Sequence, residues 1–313
     1  MRFDLYADLA ARKACPVNGS LPEGLASGFV DGCTTAFYEA ERRSANKEKN
    51  EARRCYRQHA SQAMLELEGF KRLKLVADVD NLPDPSWIAF EIAFTLETPW
   101  YSKDDRPFHV LDNPVRKDRV FGVPFMSAAS WKGLLRWACR MHAGLQGYLE
   151  KHDGKLEGWN DPDWILHLFG NEKDEAEHFQ RGALAFRPTW FSKLGFEVIN
   201  PHSRRTRAGT QPIYYEVVPA GACGALKLLY APLDGAADRD KVKPAEALDT
   251  LVDAIEALLT IYGISAKRTV GWGTAKIESW RASRRNTEPV TATPLANFKQ
   301  QVSAWLDSSR GAT

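Results

Sequence analysis

Three separate stretches of the sequence place cationic side chains beside glycine, serine or histidine. The decapeptide 200–209, NPHSRRTRAG, holds three arginines and a histidine and has no acidic residue. Residues 130–136, SWKGLLR, and residues 267–273, KRTVGWG, combine lysine and arginine with glycine. Cations, together with backbone N–H groups that a glycine leaves accessible, are groups that bind phosphates in proteins. These stretches are therefore candidate sites for a ligand that carries phosphates.

Each stretch also has an ordinary structural interpretation. Residues 130–136 are consistent with the solvated face of a helix, and the decapeptide is consistent with an exposed loop kept soluble by its charge. The G-x-G of residues 271–273 is, on its own, more typical of a turn than of a phosphate cradle. It lacks the G-K-[ST] ending of a nucleotide P-loop and no helix is predicted after it, so binding of ATP is not expected.

The composition shows that attraction of a polyanion must come from local clusters of cationic residues, because the net charge is small. The 313 residues include 42 Lys and Arg and 40 Asp and Glu, which gives a net charge of only +2. A hydrophobic fraction of 44% supports a packed core. The five cysteines contain no C-x-x-C pair, which argues against a disulfide framework and a zinc ribbon. With no signal-like start and no run of about 18 apolar residues, we expect a cytoplasmic protein without membrane contact.

The elements that must position the basic stretches form a mixed pattern. Alternating apolar residues predict a strand at 87–96, and the 3.6-residue period predicts helices at 127–144 and 243–263. Between them lie a long polar loop at 98–125, a short helix that ends in WILHLFG, and further strands at 182–191 and 224–233. A last strand follows the glycines at 271 and 273. This order matches an α+β, ferredoxin-like fold with elaborated loops, the layout of RNA-recognition modules.

We divide the chain into three parts. Residues 1–80 predict an N-terminal helical extension of one long or two shorter helices, 86–282 the ferredoxin-like domain, and 283–313 a polar, poorly patterned tail. The inward anchors predicted for the extension are Phe37, Tyr38, Tyr56, Met64 and Leu67. The basic cluster of residues 42–57 is diluted by glutamates, so a solvated helix surface is the default interpretation. A docking element for a neighbouring subunit and an added RNA contact are the alternatives.

Four blocks in fixed order resemble the RAMP superfamily, specifically the backbone subunits of type III CRISPR effector complexes. They are LDNPVRKDRVFGVPFMSAASWKGLLR at 111–136, LFG followed by RGALAFRPTWF, INPHSRRTRAGTQPIYYEVVPAGACGALKLLY, and YGISAKRTVGWGTAKI. The resemblance covers roughly residues 86–282. It implies a ferredoxin-like RAMP domain with a protruding β thumb, working in an antiviral ribonucleoprotein complex.

The resemblance assigns the basic stretches to RNA. It implies that guide RNA is bound by the helix and by the glycine-rich loop, through Ser130, Lys132, Gly133, Arg136, Lys267, Arg268, Gly271 and Gly273. It also implies that the thumb meets the target strand through His202, Arg204, Arg205 and Arg207. Arginine suits the thumb because its planar cation both contacts phosphate and stacks on a base.

The resemblance makes Asp112 the candidate catalytic residue and metal ligand. In relatives, the aspartate of the D-x-P-V block lies beside the scissile phosphate of the target RNA. A carboxylate there orients the attacking 2′-hydroxyl or holds a divalent cation, expected to be Mg²⁺ at low occupancy without target RNA. The alternative is an Asx turn at Asp112-Asn113-Pro114.

Three functional hypotheses remain open from the sequence. In the first, the protein binds guide CRISPR RNA, pairs it with target RNA and cleaves the target in a metal-dependent reaction. In the second, it is a non-catalytic scaffold or end cap of the same complex. Both imply copies of itself and other effector subunits, including a large polymerase-like subunit, as partners. The third hypothesis, a stand-alone guide-processing ribonuclease, ranks last because only His109 and His202 suit its acid/base site.

Overall fold

Between residues 88 and 284, the main helices and strands follow one another in the order that the sequence predicts. The computed structural model describes residues 32–62, 82–105, 109–118, 122–171, 181–201, 205, 209, 212–232 and 242–308. The helices are α1 (Gly32–Arg42), α2 (Asn46–Gln62), α3 (Ala128–His142), α4 (Leu145–Lys151), α5 (Asp163–Phe169), α6 (Pro244–Ala257) and α7 (Leu295–Ser308). The strands are β1 (Ile88–Leu96), β2 (Phe125–Met126), β3 (Leu184–Phe186), β4 (Thr189–Trp190), β5 (Gly195–Ile199), β6 (Ile213–Val217), β7 (Cys223–Tyr230), β8 (Ala275–Arg284) and β9 (Val290–Ala292).

Five strands form a central antiparallel sheet in the order β3-β7-β1-β8-β9. The first four strands of this order are those of a split β-α-β fold, with α3 between β1 and β3 and α6 between β7 and β8. The predicted ferredoxin-like α+β class is therefore confirmed. The predicted strand at 182–191 is in fact two short strands, since β3 joins the central sheet and β4 pairs with β2.

The core lies on one face of β1, where every second side chain is buried. Phe94 meets Trp131 of α3 edge to face, with ring centroids 6.2 Å apart, and Phe90 meets Phe298 of α7 at 6.3 Å. The even positions of β1 are thus covered by helices, as alternation along a strand requires. Phe94 and Trp131 are both buried, so this contact fixes α3 to the sheet.

The helix that carries the first basic stretch begins where the sequence predicts. The side chain of Ser127 accepts a hydrogen bond from the backbone N–H of Ser130 at 3.1 Å, which caps one of the free amides of the first turn. Trp131 and Leu135 are buried, so the inner face of α3 is apolar. The opposite face carries Lys132 and Gly133, which are exposed.

Strands β5 and β6 form a hairpin of their own outside the central sheet. Their pairing runs from Gly195 opposite Val217 to Ile199 opposite Ile213. The segment that connects the two strands contains the basic decapeptide, so the predicted thumb is confirmed as a β hairpin.

In the described part of the N-terminal extension, residues 32–62, the chain forms two helices, which matches one of the two predicted forms. Phe37 and Tyr56 are buried and Tyr38 is half-buried, as expected for inward anchors. The other two predicted anchors, Met64 and Leu67, lie outside the described residues.

The prediction of a poorly patterned tail after residue 283 is wrong. Strand β9 pairs with β8, and α7 packs Leu295, Phe298 and Val302 into the core. These three apolar residues recur at i, i+3 and i+7, the spacing of one helix face, and the polar residues between them concealed that period.

None of the helices in the described part of the chain is long and apolar enough to cross a membrane.

Candidate nucleic-acid interface

Helix α3 presents Lys132 and Gly133 to solvent, while Ser130 serves the helix itself. The hydroxyl of Ser130 hydrogen-bonds that of Ser127 at 2.9 Å. Partial burial, together with the positive charge of Arg136, lowers the pKa of the Lys132 ammonium. Two cations this close favour a nearby anion, because an anion relieves their repulsion.

Arg136 is committed to an ion pair inside the fold. Its guanidinium donates to Asp161 Oδ2 from Nε at 2.8 Å and from Nη2 at 2.6 Å. Arg140 donates to both oxygens of Asp161, to Oδ1 at 2.6 Å and to Oδ2 at 2.9 Å. The Asp161 side chain is only 2% exposed. Burial by itself raises the pKa of this carboxyl, but hydrogen bonds from Arg140, Trp159 and Arg136 outweigh it and lower the pKa below its usual value. Arg136, predicted as a guide contact, thus has a structural partner that the sequence did not reveal.

The glycine-rich loop meets α3 through Arg268. The guanidinium carbon of Arg268 lies 4.3 Å from the ring centroid of Trp137, a residue of α3. Desolvation lowers the pKa of Arg268. Its Nη1 atom is buried and has no hydrogen-bond partner among the described residues. A buried charged donor without a partner is costly, and the contact of the guanidinium with the Trp137 ring offsets part of that cost.

The two glycines of the loop have different roles. Gly273 has φ +91°, and a Cβ added there would lie 2.4 Å from the backbone nitrogen of Ser265, so the fold itself excludes a side chain. Gly271 has φ +84°, but no described atom lies within 4 Å of an added Cβ. Ser265 holds the base of the loop, since its hydroxyl accepts from Tyr101 N at 2.9 Å. Lys267 lies over the ring of Tyr215, 5.1 Å from its centroid.

The loop of Asp112 is fastened to the thumb hairpin. Asn113 donates from Nδ2 to Tyr214 O at 3.2 Å and accepts at its carbonyl from Glu216 N at 3.0 Å. The Asp112 side chain is 82% exposed, and both of its carboxylate oxygens lie 3.4 Å from Nη2 of Arg53 in α2. The structure therefore places Asp112 in solvent beside the first residues of β6.

Beneath this loop lies a buried polar network that the sequence did not predict. Lys117 Nζ lies 2.6 Å from Glu216 Oε1, and the hydroxyl of Tyr56 donates to the same oxygen at 2.5 Å. Oε2 of Glu216 accepts from Val115 N at 3.0 Å. Burial raises the pKa of Glu216, but the charge of Lys117 and the hydrogen bonds from Lys117 and Tyr56 lower the pKa further than burial raises it. The network joins α2, the Asp112 loop and β6.

His109 is not placed as an acid/base group. Its Nδ1 accepts a hydrogen bond from Leu111 N at 3.0 Å, and its ring lies edge-on to Tyr56 with centroids 5.1 Å apart. These contacts give the side chain a packing role, and this weakens the third hypothesis, of a guide-processing ribonuclease.

The described residues do not form a resident metal site. No group of three His, Cys, Asp or Glu residues with suitable placement occurs in the part of the chain that the structure describes. Asp112 contributes one carboxylate and faces the cation of Arg53. Such a donor fits only a cation that takes its other ligands from RNA phosphates and water, which is the usual mode of Mg²⁺.

Of the predicted thumb residues, the structure describes only Arg205, which is exposed between β5 and β6. His202, Arg204 and Arg207 lie outside the described residues. The sequence prediction that they contact target RNA stays a prediction.

Comparison with known proteins matches this arrangement to one family. A family model described as the RAMP superfamily matches residues 93–276, more than half of the chain. The chain belongs to the RAMP superfamily. The RAMP match contains α3, the thumb hairpin and the glycine-rich loop, whereas α1 and α2 precede it. No curated protein matches the sequence.

One solved structure similar to this RAMP chain is described as "Cryo-EM structure of the Type III-B Cmr-beta bound to cognate target RNA". The sequence identity is 14%, the match covers 89% of this chain and 87% of that chain, and the TM-score is 0.49.

Proposed function

We propose that this RAMP protein is a guide-RNA-binding backbone subunit of a type III CRISPR effector complex. The observation that carries the proposal is the contact of Arg268 with Trp137, because it joins the glycine-rich loop to the helix that bears Lys132. Two stretches more than 100 residues apart in sequence thereby contribute cations to adjoining surfaces. This arrangement is what a chain of phosphates requires of a sequence with almost no net charge.

The binding surface consists of cationic side chains that the fold leaves without an ion pair. Lys132 is exposed and Arg268 is half-buried, and neither has an ion pair among the described residues. Arg136 contributes to the local potential, while its hydrogen bonds go to Asp161. We therefore propose that Lys132 and Arg268 are the main contacts of the guide phosphates. Gly133 and Gly271 allow the RNA strand to approach the protein backbone closely.

The test is co-purification of RNA with the full chain and its genomic neighbours. The proposal predicts a retained small RNA with a uniform 5′ end, and loss of most of it from the Arg268→Gln variant. Lys276→Gln, a change at an exposed lysine on β8 that pairs with Glu278, is the matched control and is expected to retain the RNA. RNA of random 5′ ends, or none in the wild type, would contradict the proposal.

Cleavage of target RNA at Asp112 is the second candidate activity. Two observations favour it: the carboxylate is 82% exposed, and its loop is tied to the thumb strand by Asn113. In this reaction Asp112 orients or deprotonates the 2′-hydroxyl of a target nucleotide, and the 2′-oxygen forms a bond to the adjacent phosphorus as the bond from that phosphorus to the 5′-oxygen breaks. The products are a 2′,3′-cyclic phosphate and a 5′-hydroxyl, which takes its proton from water. A divalent cation, when bound, neutralises charge on the phosphate.

The ion pair with Arg53, and the lack of a group of three His, Cys, Asp or Glu residues that could hold a metal in the described part of the chain, favour the non-catalytic scaffold instead. Incubation of the assembled complex with labelled target RNA and Mg²⁺ separates the two forms. Cuts at regular spacing that disappear in Asp112→Asn, with guide RNA retained, establish cleavage by this subunit. Cuts that persist in Asp112→Asn, or their absence in the wild type, assign the protein to the scaffold.

We also propose that the partners are copies of this chain and other effector subunits, among them a large polymerase-like subunit. A backbone subunit contacts only one segment of a guide, so the remaining segments require further subunits. Mass analysis of the purified complex gives the subunits and their copy numbers.

A further inference from the structure

Two arginines of the N-terminal extension lie against the thumb and the Asp112 loop. Arg53 and Arg57 are one turn apart in α2 and therefore share a face of the helix. Arg57 lies over the ring of Tyr214 in β6, with 4.7 Å between the guanidinium carbon and the ring centroid. Arg53 donates weakly to Val110 O at 3.4 Å and lies over the Phe37 ring at 5.0 Å. Both guanidinium groups are thus positioned by aromatic rings.

Strand β6 separates this pair of arginines from the glycine-rich loop. Neighbouring residues of a strand point to opposite faces. Tyr215 points to Lys267, while Tyr214 points to Arg57. The thumb strand therefore has a cation stacked on each of its two faces, one from the proposed guide site and one from the N-terminal extension.

We infer that Arg53 and Arg57 form a second RNA site, which binds the backbone of the target strand on the α2 side of the thumb. The inference rests on the proposed function, because it takes the face of Lys267 and Arg268 as the guide side. Tyr214 remains 42% exposed, so an unstacked base has access to its ring beside the Arg57 guanidinium. Arginine with an aromatic ring is a combination that binds single-stranded RNA without reading its sequence.

The ion pair of Arg53 with Asp112 does not prevent a phosphate from binding to Arg53. The two oxygens of Asp112 lie 3.4 Å from Arg53, at the long end of hydrogen bonding, and the carboxylate is largely solvated. Exposed ion pairs of this kind are weak, and salt screens them. A phosphate carries a charge that several cations can share, so it competes with Asp112 for Arg53.

The experiment measures two affinities of the assembled complex: that for guide RNA and that for fluorescein-labelled target RNA complementary to the guide. For the variant with both Arg53→Gln and Arg57→Gln, we expect target binding to weaken about tenfold while guide binding changes less than about twofold. Arg57→Lys keeps the charge and loses the planar stack, so an intermediate loss is expected. Thermal unfolding of each variant shows whether the fold is retained.

Arg54 is the matched control. It follows Arg53 in the same helix and pairs with Glu51. Arg54→Gln removes the same charge from α2 without touching the thumb, so target affinity should stay within about twofold of wild type. Equal target affinities for the double variant and the wild type overturn the inference, as does loss of a neighbouring subunit with target affinity unchanged.

Failure of the inference and failure of the proposed function give different experimental results. If the wild type binds no guide RNA, the proposed function fails, and the same variants are then compared with a labelled single-stranded RNA of target length. Equal binding of that probe by wild type and double variant overturns the inference on its own terms. Weaker binding by the double variant supports the second site even then.

Discussion

Gly133 lies within an α-helix without any requirement from the fold for a glycine. It is exposed on the outer face of α3, and no described atom lies within 4 Å of a Cβ added there. A glycine within a helix costs about 0.5–1 kcal/mol relative to alanine. Packing of the described residues does not require a glycine at this position. Close approach of an RNA backbone to α3 would require one, because a side chain at residue 133 would obstruct the strand.

Gly133→Ala is therefore expected to stabilise the protein and, at the same time, to weaken its binding of guide RNA. The free energy of unfolding, measured in urea, should rise by about 0.5–1 kcal/mol, because alanine favours the helix. Affinity for guide RNA should fall at the same time, because the added methyl group obstructs the strand. Gly147→Ala in α4, another helical glycine with no described atom within 4 Å of an added Cβ, is the control and should stabilise without a change in affinity. Equal RNA affinities for Gly133→Ala and wild type would remove Gly133 from the interface.

Asp161 makes stability dependent on pH in the acid range. Its folded-state pKa lies below the usual value of 3.8, because Arg140, Trp159 and Arg136 donate to it. A carboxyl with a depressed folded pKa stabilises the protein above its unfolded pKa, and that contribution is lost as pH falls through the folded pKa. Asp161→Asn should lower the midpoint of thermal unfolding at pH 7, and the gap to wild type should narrow below about pH 4. A gap that is independent of pH would contradict this role.

The functional side chains were predictable where they follow local patterns, and their partners were not. The start of α3 and the exposed position of Lys132 follow from helix periodicity, so the sequence places both correctly. Asp161 approaches Arg136 across 25 residues and Glu216 approaches Lys117 across 99. No periodicity encodes such separations, because tertiary packing alone brings these groups together.

At the scale of elements, the buried network of Tyr56, Lys117 and Glu216 fixes α2 to the thumb and to the Asp112 loop. A buried carboxylate that loses its cation costs about 3–5 kcal/mol, whereas a lost neutral hydrogen-bond donor costs about 1–2 kcal/mol. The residues of the network therefore differ in how much they stabilise the fold. Lys117 contributes most, so the position of the Asp112 loop depends chiefly on it.

Substitutions at the network should follow that order. Lys117→Met leaves Glu216 charged and without its cation, so the free energy of unfolding should fall by about 3–5 kcal/mol, against about 1–2 kcal/mol for Tyr56→Phe. Tyr148→Phe removes an exposed hydroxyl that donates to Glu157 O, so it serves as the control with a change below about 0.5 kcal/mol. Urea unfolding measures all three, and a larger loss for Tyr56→Phe than for Lys117→Met would refute the assignment.

Long elements with an uninterrupted period were predicted, and short or diluted ones were missed. Strand β1 and helices α3 and α6 have clear apolar patterns over nine or more residues. Strand β9 has only three residues, and the pattern of α7 is spread among polar side chains, so periodicity predicts only a tail at 283–313. Strand β3 joins the central sheet whereas β4 pairs with β2. The periodicity of the sequence does not show this difference, because it depends on tertiary pairing.

At the scale of the whole molecule, cations are gathered on two sides of one hairpin strand. The RAMP domain supplies Lys267 through the glycine-rich loop, and the N-terminal extension supplies Arg57 through α2. The proposed RNA binding is compatible with a net charge of only +2, because these positive groups are clustered around one strand.

The most direct measurement is the affinity of the full chain for guide RNA at several salt concentrations, for wild type, Lys132→Gln, Arg268→Gln and the double variant. Each lost phosphate contact should reduce the slope of log affinity against log salt by about 0.7. We predict a reduction for each single variant and a larger one for the double variant. Slopes and affinities equal to wild type in all three variants would show that α3 and the glycine-rich loop do not hold the guide.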